Sequence, residues 1–467
     1  MNTTQKTVIA AAWITFVVSQ VFISYGSSLD AWLLAWNAHR IYESGGYLPS
    51  RATGFPLHEL LVTPLILSGG WILSNLASTV AGIAFLAGLF VLANEKEFRH
   101  PVLVVVTLAF MPIIVDQASC TIDFMFSLAL CLWSWILLLR KRWYLAAVLI
   151  GIACGFRITS CFMIGPAIVY TWYVKRDVKL SLLMLLTGAF TGVIAFSPAL
   201  LTVGFKDYAA PLAGKLPASY RMLIGGYRFL RTLGILQWAF VAGAMVWGLR
   251  AAWKSDRPWR SSHTVYHGAN VLMWLMIFPI FPFKSEYFLL AVPSLIFLLD
   301  RLLDRKVMTA LAVVILSYHV VQFDLLAGES GERRVAPSIA TGYTVRSIQA
   351  RRFMRSTREI ATAHRVERPT LLMFGSAWTT AANPAWVFDT SWNLWRQKDG
   401  NLFLSECILE KERLEHLHSR GLAIYVWRGA KTEYSNVLDR SVWGKYVEVV
   451  DSLEVFYDRK ITGRPLQ

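Results

Sequence analysis

The sequence predicts a mainly α-helical protein: a polytopic membrane bundle of about eleven spans, followed by a small C-terminal α/β domain. Three observations predict it. Hydrophobic residues make up 55% of the 467 residues and charged residues only 16%, whereas soluble domains usually contain about 25% charged residues. Apolar runs of the length of a bilayer recur up to about residue 325. Beyond that point the sequence becomes polar and strand-like.

A transmembrane helix needs about 20 mainly apolar residues to cross the hydrocarbon core. The first apolar run follows a single basic residue, Lys6, and lacks a convincing small-residue cleavage site. We therefore interpret it as a retained span rather than a removed signal peptide. The runs that fit a span lie at 8–26, 71–93, 101–116, 122–140, 143–157, 158–174, 179–203, 232–250, 267–283, 286–300 and 307–325.

Basic residues predict the orientation of these spans. Lys and Arg outnumber Asp and Glu by 46 to 30, but they cluster between the apolar runs, which argues against a nucleic-acid partner. With eleven spans the clusters share one side, which the positive-inside rule identifies as the cytoplasm. The N-terminus is then cytoplasmic, in a plasma or inner membrane, and the C-terminal domain is extracytoplasmic. The clusters are Lys6, Lys96 with Arg99, 140–142, 175–179, 250–260 and 301–306.

The chain divides into a transmembrane domain, residues 1–325, and a soluble extracytoplasmic domain, residues 326–467. In the second domain strand-like runs alternate with a helical run, which is typical of a small α/β domain. A basic helical stretch near 344–364 precedes them. The strand-like runs lie at 370–374, 422–427 and 446–456, and the helix is expected near 407–419.

The first external segment, residues 27–70, is the most informative. Apolar residues recur at helical spacing over 29–43, which predicts a helix lying in the membrane interface, and a second such helix is expected at 57–67. Asp30 opens the first helix. A carboxylate at the mouth of a span is costly to desolvate, so Asp30 is the leading candidate for a reactive group. The alternative is a helix N-cap, since Ser and Asp side chains accept hydrogen bonds from free backbone N–H groups.

Several motifs follow one another in a recognisable order along residues 8–325. Residues 30–47 and the run Gly-Phe-Pro-Leu-His-Glu-Leu at 54–60 lie in the first external segment. An Ile-Asp-Phe-Met-Phe run at 122–126 opens a span, and a glycine-rich turn at 151–159 and a late external turn at 281–287 follow. In this order the motifs resemble the GT-C glycosyltransferases, a superfamily that includes the protein O-mannosyltransferases and the aminoarabinose transferase of lipid A.

This resemblance implies an inverting transfer of a sugar, a hexose or a pentose, from a polyprenyl-phosphate donor to an acceptor hydroxyl at the extracytoplasmic face. Asp30 matches the family's catalytic base. Many relatives have two adjacent acids there, whereas this chain has Asp30-Ala31, which leaves open whether Glu43, Glu59 or Asp123 assists. The implied partners are the donor, a glycan, lipid or protein acceptor, and membrane lipids.

A departing phosphate gains charge, so the site also needs cations. Three basic residues are predicted on the external side, where the positive-inside rule does not require them: Arg51, Arg157 and Lys284. They are therefore candidates to bind the donor phosphate. The alternative is that they contact lipid headgroups. Four further residues are candidates for substrate binding. His58 and Glu59 either orient substrate or form an exposed interfacial pair. Asp123 holds the first loop, helps to bind a metal or caps its own span, and Tyr287 lies in the late external turn.

Two other classes of function stay open at this point. A transporter or flippase for lipid-linked saccharides would also need many spans and external basic residues, although the sequence shows no paired interrupted helices. A non-catalytic assembly subunit is the third possibility. The cofactor is unknown: the five cysteines have no metal-type spacing, and no dense carboxylate cluster requires a divalent metal.

Overall fold

The structure of the chain is a computed structural model, and it is mainly helical. It describes residues 1–26, 28–51, 54–203, 225–226, 228–230, 232–253, 261–279, 285–327, 333–339, 348, 369–373, 386–389, 394–397, 401–405, 411–427 and 447–450.

Helices account for most of the described chain up to residue 317. The first group comprises α1 (Thr3–Val21), α2 (Leu29–Ser44), α3 (Pro56–Asn94), α4 (Pro101–Ala109), α5 (Pro112–Ser119), α6 (Phe124–Leu139), α7 (Trp143–Phe156), a 3-10 helix (Ile158–Met163), α8 (Ile164–Lys175) and α9 (Val178–Val203). The second group comprises α10 (Ile235–Trp253), α11 (Ser262–Ile277), a 3-10 helix (Ser285–Ala291), α12 (Val292–Leu302) and α13 (Arg305–Ser317).

Helix α3 is too long to be a single straight span. Its 39 residues at about 1.5 Å per residue give about 58 Å, about twice the ~30 Å of a hydrocarbon core. The helix is interrupted at Gly69 and Gly70, and Gly70 has φ 58°, a left-handed conformation that glycine adopts without a steric penalty. The interruption separates residues 56–68 from 71–94. This division matches the predicted interfacial helix and the predicted second span.

Two of the described helices are long and apolar enough to cross a bilayer, Pro56–Asn94 and Val178–Thr202. A third candidate is the pair α4 and α5, which is bent by 54° where Pro112 starts a new helix. Proline cannot continue a preceding helix because it lacks the N–H and clashes with the previous turn. The described chain therefore has two helix interruptions, and both lie within residues 56–119. The count of eleven spans stays a prediction.

The last predicted span, residues 307–325, is shorter than expected. Helix α13 ends at Ser317, and residues 321–327 form a β-strand instead. The reason lies in the sequence, because Val-Gln-Phe-Asp-Leu alternates apolar and polar residues over 321–325, and this period of two favours a strand over a helix.

Close packing of α7 against α9 sets the position of the chain that follows α7. A Cβ atom at Gly151 would lie 2.6 Å from Thr191 Cβ and 2.8 Å from the carbonyl oxygen of Gly188. Small residues let membrane helices approach this closely. Arg157 follows directly after the end of α7 and begins the turn into the 3-10 helix.

Basic residues of distant segments meet polar partners at one end of the bundle. Lys6 Nζ donates to Asn94 (2.6 Å), the guanidinium of Arg140 donates to Glu95 (2.7 Å), and Arg99 donates to the carbonyl oxygen of Leu303 (3.2 Å). Clusters that the sequence places on one side therefore share one end of the bundle. That this end faces the cytoplasm stays a prediction.

The described segments beyond α13 are mainly strands. Strands β1 (Val321–Ala327) and β2 (Arg333–Ile339) form an antiparallel hairpin. A second sheet has the order β4-β5-β6-β3-β7-β8. Its strands are β3 (Thr370–Met373), β4 (Trp386–Asp389), β5 (Leu394–Gln397), β6 (Leu402–Ser405), β7 (Ala423–Trp427) and β8 (Val447–Val450), with α14 (Lys411–Ser419) between β6 and β7.

Three of these strands and the helix agree with the sequence-based expectation. Parallel pairing joins β3 to both β6 and β7, and buried Leu371, Leu414, Leu417 and Ile424 form an apolar core between helix and sheet. The basic stretch near 344–364 lies outside the described residues except for position 348. The division of the chain at residue 325 into two domains stays a prediction.

Candidate functional site

Asp30 lies in the first turn of α2, with its carboxylate directed at an arginine. The side chain of Ser28 accepts a hydrogen bond from the backbone N–H of Asp30 (3.3 Å), so Ser28 is the N-cap of the helix. The carboxylate of Asp30 pairs with Arg51. Asp30 is only 6% exposed. The helix is therefore capped by Ser28, and the carboxylate of Asp30 binds Arg51 instead of capping the helix.

Arg51 joins two acidic residues that are far apart in the sequence. One terminal nitrogen of its guanidinium pairs with Asp30, and the other donates to Asp123 (3.1 Å). The guanidinium carbon also lies 4.0 Å from the ring centroid of Phe55, within the range of a cation–π contact. The side chain of Arg51 is 17% exposed. Arg51 is therefore the more accessible of the two arginines in the site.

Asp123 is fully buried and is shared by two arginines. Its second carboxylate oxygen accepts from Arg157, and its first accepts from Arg51. The positive charges of Arg157 and Arg51 favour the ionised form of this carboxyl. A carboxylate between two cations is a weak base. Asp123 is thus an ionised anchor for two guanidinium groups.

Aromatic rings enclose the guanidinium of Arg157. Its central carbon lies 3.4 Å from the ring centroid of Phe124, 4.6 Å from that of Tyr287 and 5.5 Å from that of Phe55. The side chain is 3% exposed. The rings and Asp123 together fix the orientation of Arg157.

A buried polar network holds the loops that carry the two acids. The backbone N–H of Thr121 donates to the carbonyl oxygen of Tyr25 (2.9 Å), and its hydroxyl donates to Asn75 (2.7 Å). Asn75 in turn donates to the carbonyl oxygens of Val21 (3.0 Å) and Ser24 (2.7 Å). Asn75 in α3 thereby ties the end of α1, which precedes Asp30, to the segment that precedes Asp123.

Glu59 fixes the loop that contains Arg51. One carboxylate oxygen accepts from the backbone N–H of Ser50 (2.8 Å). The other accepts from the backbone N–H of Phe55 (2.9 Å) and from the hydroxyl of Tyr47. Glu59 is 1% exposed. Both carboxylate oxygens of Glu59 thus accept hydrogen bonds from the loop, which argues for a structural role and against a role as a base.

Replacing Glu59 with glutamine should destabilise this loop. The amide would turn an NH2 group towards one of three donors, which leaves a buried donor without an acceptor at a cost of about 1–3 kcal/mol. We expect a lower melting temperature of the purified protein in detergent. Glu95→Gln removes a carboxylate from a more exposed ion pair and serves as the control, since such pairs contribute about 0–1 kcal/mol. Equal melting temperatures for the two variants would contradict the structural role.

His58 precedes Glu59 and is completely buried. Its ring packs edge-on against Phe126, with centroids 5.3 Å apart, and Phe126 stacks on Phe156 at 5.0 Å. The adjacent Glu59 accepts from the backbone N–H of Ser50, the residue next to Arg51 (2.8 Å). His58 is thus part of the site and differs from the exposed interfacial residue that the sequence left open.

Most of the residues predicted from the sequence meet in this one place. Glu43 is exposed near the end of α2, and Lys284 lies outside the described residues. Asp123 is at the N-cap position of α6 but makes no capping hydrogen bond, because both of its oxygens face arginines. The residues brought together are Asp30, Arg51, His58, Glu59, Asp123, Arg157 and Tyr287.

The sequence analysis missed the aromatic walls of the site. Phe55 and Phe124 contact the guanidinium groups, and each lies next to a motif residue that was noted. A phenylalanine near a span end is a weak signal, because aromatic residues are common at membrane interfaces. Trp32 belongs to the helix expected in the membrane interface, but it is fully buried and donates to the carbonyl oxygen of Gly26 (3.0 Å).

Among the described residues there is no group of three or more His, Cys, Asp or Glu side chains arranged to hold a metal ion. In the described part of the site, arginine side chains instead balance the negative charge of Asp30 and Asp123.

No protein-family model and no curated protein matches the sequence. Among solved structures, two of ArnT from Cupriavidus metallidurans are similar to this chain. The apo structure shares 15% sequence identity with a TM-score of 0.45, over 76% of this chain and 69% of ArnT. The structure bound to undecaprenyl phosphate shares 17% identity with a TM-score of 0.44, over 78% and 72%.

Proposed function

We propose that this chain is an inverting glycosyltransferase that moves a sugar from a polyprenyl-phosphate donor to an acceptor hydroxyl at the extracytoplasmic membrane face. The observation that carries the proposal is the continuous series of ion pairs Asp30–Arg51–Asp123–Arg157. It unites a candidate base and two cations at the end of an apolar bundle. The order of sequence motifs that resembles the GT-C enzymes supplies the class of donor.

Asp30 accepts the proton of the acceptor hydroxyl in this mechanism. The acceptor oxygen bonds to the anomeric carbon while the bond from that carbon to the phosphate oxygen breaks. The electron pair leaves with the phosphate, whose charge goes from about −1 to −2. One direct displacement inverts the configuration at the anomeric carbon. A positioned carboxylate contributes about 10²–10⁴-fold to such a step as general base.

Arg51 couples donor binding to the availability of this base. In the structure its guanidinium pairs with Asp30, so the carboxylate is already occupied by a cation. A phosphate that binds Arg51 competes for the same guanidinium and releases Asp30 to accept a proton. The partial exposure of Arg51 supports this role, since a phosphate can reach it.

Arg157 supplies a fixed positive charge. Because Asp123 and three aromatic rings orient it, its charge is present before the reaction starts. Groups preorganised in this way stabilise developing charge without reorganising. The role of Lys284 in phosphate binding stays a prediction.

A transporter for lipid-linked saccharides is the second candidate, and the interruption of α3 and the bend between α4 and α5 favour it. Broken helices in transporters lie in corresponding positions of two repeats. Here both breaks fall within residues 56–119, a single stretch of the chain. The charged residues of the site also lie at helix ends and in loops, where an enzyme site facing a lipid headgroup is expected.

The test is the fate of the donor. The purified full chain in nanodiscs is incubated with radiolabelled undecaprenyl-phosphoryl glucose, mannose, galactose and arabinose, with membrane extract as the source of acceptor. We expect release of undecaprenyl phosphate and transfer of label from one of these donors. In proteoliposomes, movement of intact donor across the bilayer without its consumption would instead identify a transporter.

A further inference from the structure

His58 is a fully buried imidazole for which the described residues offer no hydrogen-bond partner. Neither Nδ1 nor Nε2 makes a hydrogen bond, although the side chain is 0% exposed. A buried polar group without a partner costs about 1–3 kcal/mol. Such a group in a functional site is explained when a ligand supplies the missing partner.

Two other histidines among the described residues, the buried His267 and the partly buried His319, do have partners. His267 Nδ1 lies 3.0 Å from the hydroxyl of Ser294, and His319 Nε2 lies 2.7 Å from the carbonyl oxygen of Phe110. Those two side chains are satisfied by the fold itself. His58 differs from them in lacking a partner and in being located at the candidate site.

The surroundings of His58 define the chemistry of the missing partner. The nearby charges, Asp123 and Arg51, are already paired with each other, and Phe126 covers the ring. A neutral imidazole has one N–H donor and one acceptor nitrogen. A phosphate group offers only acceptors at neutral pH, whereas a hydroxyl both donates and accepts. A hydroxyl group therefore matches His58 better than a phosphate does.

The position of His58 near Arg51 indicates that this hydroxyl belongs to the donor. Glu59, the residue next to His58, accepts from the backbone N–H of Ser50, the residue next to Arg51 (2.8 Å). Arg51 is the residue assigned above to the donor phosphate, and the sugar is bonded to that phosphate. We propose that His58 binds a hydroxyl group of the transferred sugar and helps to select the sugar of the donor. This inference rests on the proposed function, and it assigns His58 to the sugar rather than to the phosphate or the acceptor.

The test compares binding of the lipid phosphate with and without the attached sugar. Binding to the full chain in nanodiscs is measured with undecaprenyl phosphate and with undecaprenyl-phosphoryl glucose, mannose, galactose and arabinose, for wild type, His58→Phe and His58→Gln. For the best-bound sugar lipid, we expect His58→Phe to raise Kd at least about 10-fold while the Kd for undecaprenyl phosphate changes less than about 2-fold. Glutamine keeps one donor and one acceptor, so His58→Gln should retain part of the affinity for the sugar lipid.

A stability measurement distinguishes a ligand-binding histidine from a structural one. His58→Phe removes a buried polar group that has no partner, so its melting temperature should equal or exceed that of wild type. His267→Phe is the matched control and should melt at a lower temperature, because it removes the hydrogen bond between the His267 imidazole and the hydroxyl of Ser294.

The outcomes separate this inference from the proposed function. Suppose that wild type consumes a donor, but His58→Phe weakens the binding of undecaprenyl phosphate as much as that of the sugar lipid, or changes the binding of neither. His58 then does not bind the sugar, and only this inference is wrong. If wild type binds none of the lipids and consumes none of them, the proposed function fails and the inference fails with it.

Discussion

Replacing Asp30 with asparagine is expected to lower the rate of sugar transfer by about 10²–10⁴-fold, the usual contribution of a general base. Asparagine keeps the size of the side chain and its carbonyl oxygen can still accept a hydrogen bond from Arg51. It cannot accept the proton of the acceptor hydroxyl. The loss should therefore appear in kcat, and the Kd for the donor lipid should change little by comparison.

The measurement is single-turnover release of undecaprenyl phosphate from the radiolabelled donor, with the melting temperature recorded for each variant. Glu95→Gln is the control, because Glu95 is at the opposite end of the bundle in an ion pair with Arg140. It should retain the wild-type rate. An Asp30→Asn variant that transfers sugar at the wild-type rate would exclude Asp30 as the base.

Arg51→Gln tests the coupling between the donor and Asp30. Without this guanidinium the phosphate loses a cation, so the Kd for undecaprenyl phosphate should rise about 10-fold or more, in line with the 1.5–3 kcal/mol of a charged hydrogen bond. Equilibrium binding to nanodiscs measures it. Arg140→Gln is the control, since its partner Glu95 is remote from the site. Unchanged binding by Arg51→Gln would contradict the role of Arg51 in holding the phosphate.

The sequence named most of the polar residues that the structure brings together, but it did not predict their pairing. Asp30 and Arg157 were predictable because a charged residue at a span end is costly and needs a reason. Their partners were not, since Arg51 and Asp123 are separated by 72 positions and no local rule relates them. Two acids and two arginines allow several pairings, and only the packing of α3, α6 and α7 selects one of them.

For the fold as well, the sequence predicted local secondary structure but not the long-range contacts. Hydrophobic periodicity predicted a helix at 29–43 and strands near 370–374 and 422–427, where the structure has α2, β3 and β7. Periodicity did not predict that α2 would be buried against α3, because Trp32 and Ala35 are buried in a cluster that includes the distant residues Val62 and Ile66 of α3. The order of the strands in the six-stranded sheet depends on long-range pairing as well.

Asp123→Asn should have the largest effect on stability. The substitution leaves Arg157 buried without a counter-charge, and breaking a buried ion pair by removing one partner costs about 3–5 kcal/mol. The aromatic rings around Arg157 favour the cation, but they do not replace the carboxylate. We expect a large drop in melting temperature in detergent. Activity should fall as well, since both arginines lose the anchor that orients them.

A second substitution shows whether the unpaired charge is the cause. In the double variant Asp123→Asn with Arg157→Met, no buried cation remains at position 157. Residues in contact typically show coupling free energies of about 0.5–3 kcal/mol, so the double variant should be more stable than the sum of the two single losses predicts. Additive losses would mean that Asp123 stabilises the fold by a route other than this pair.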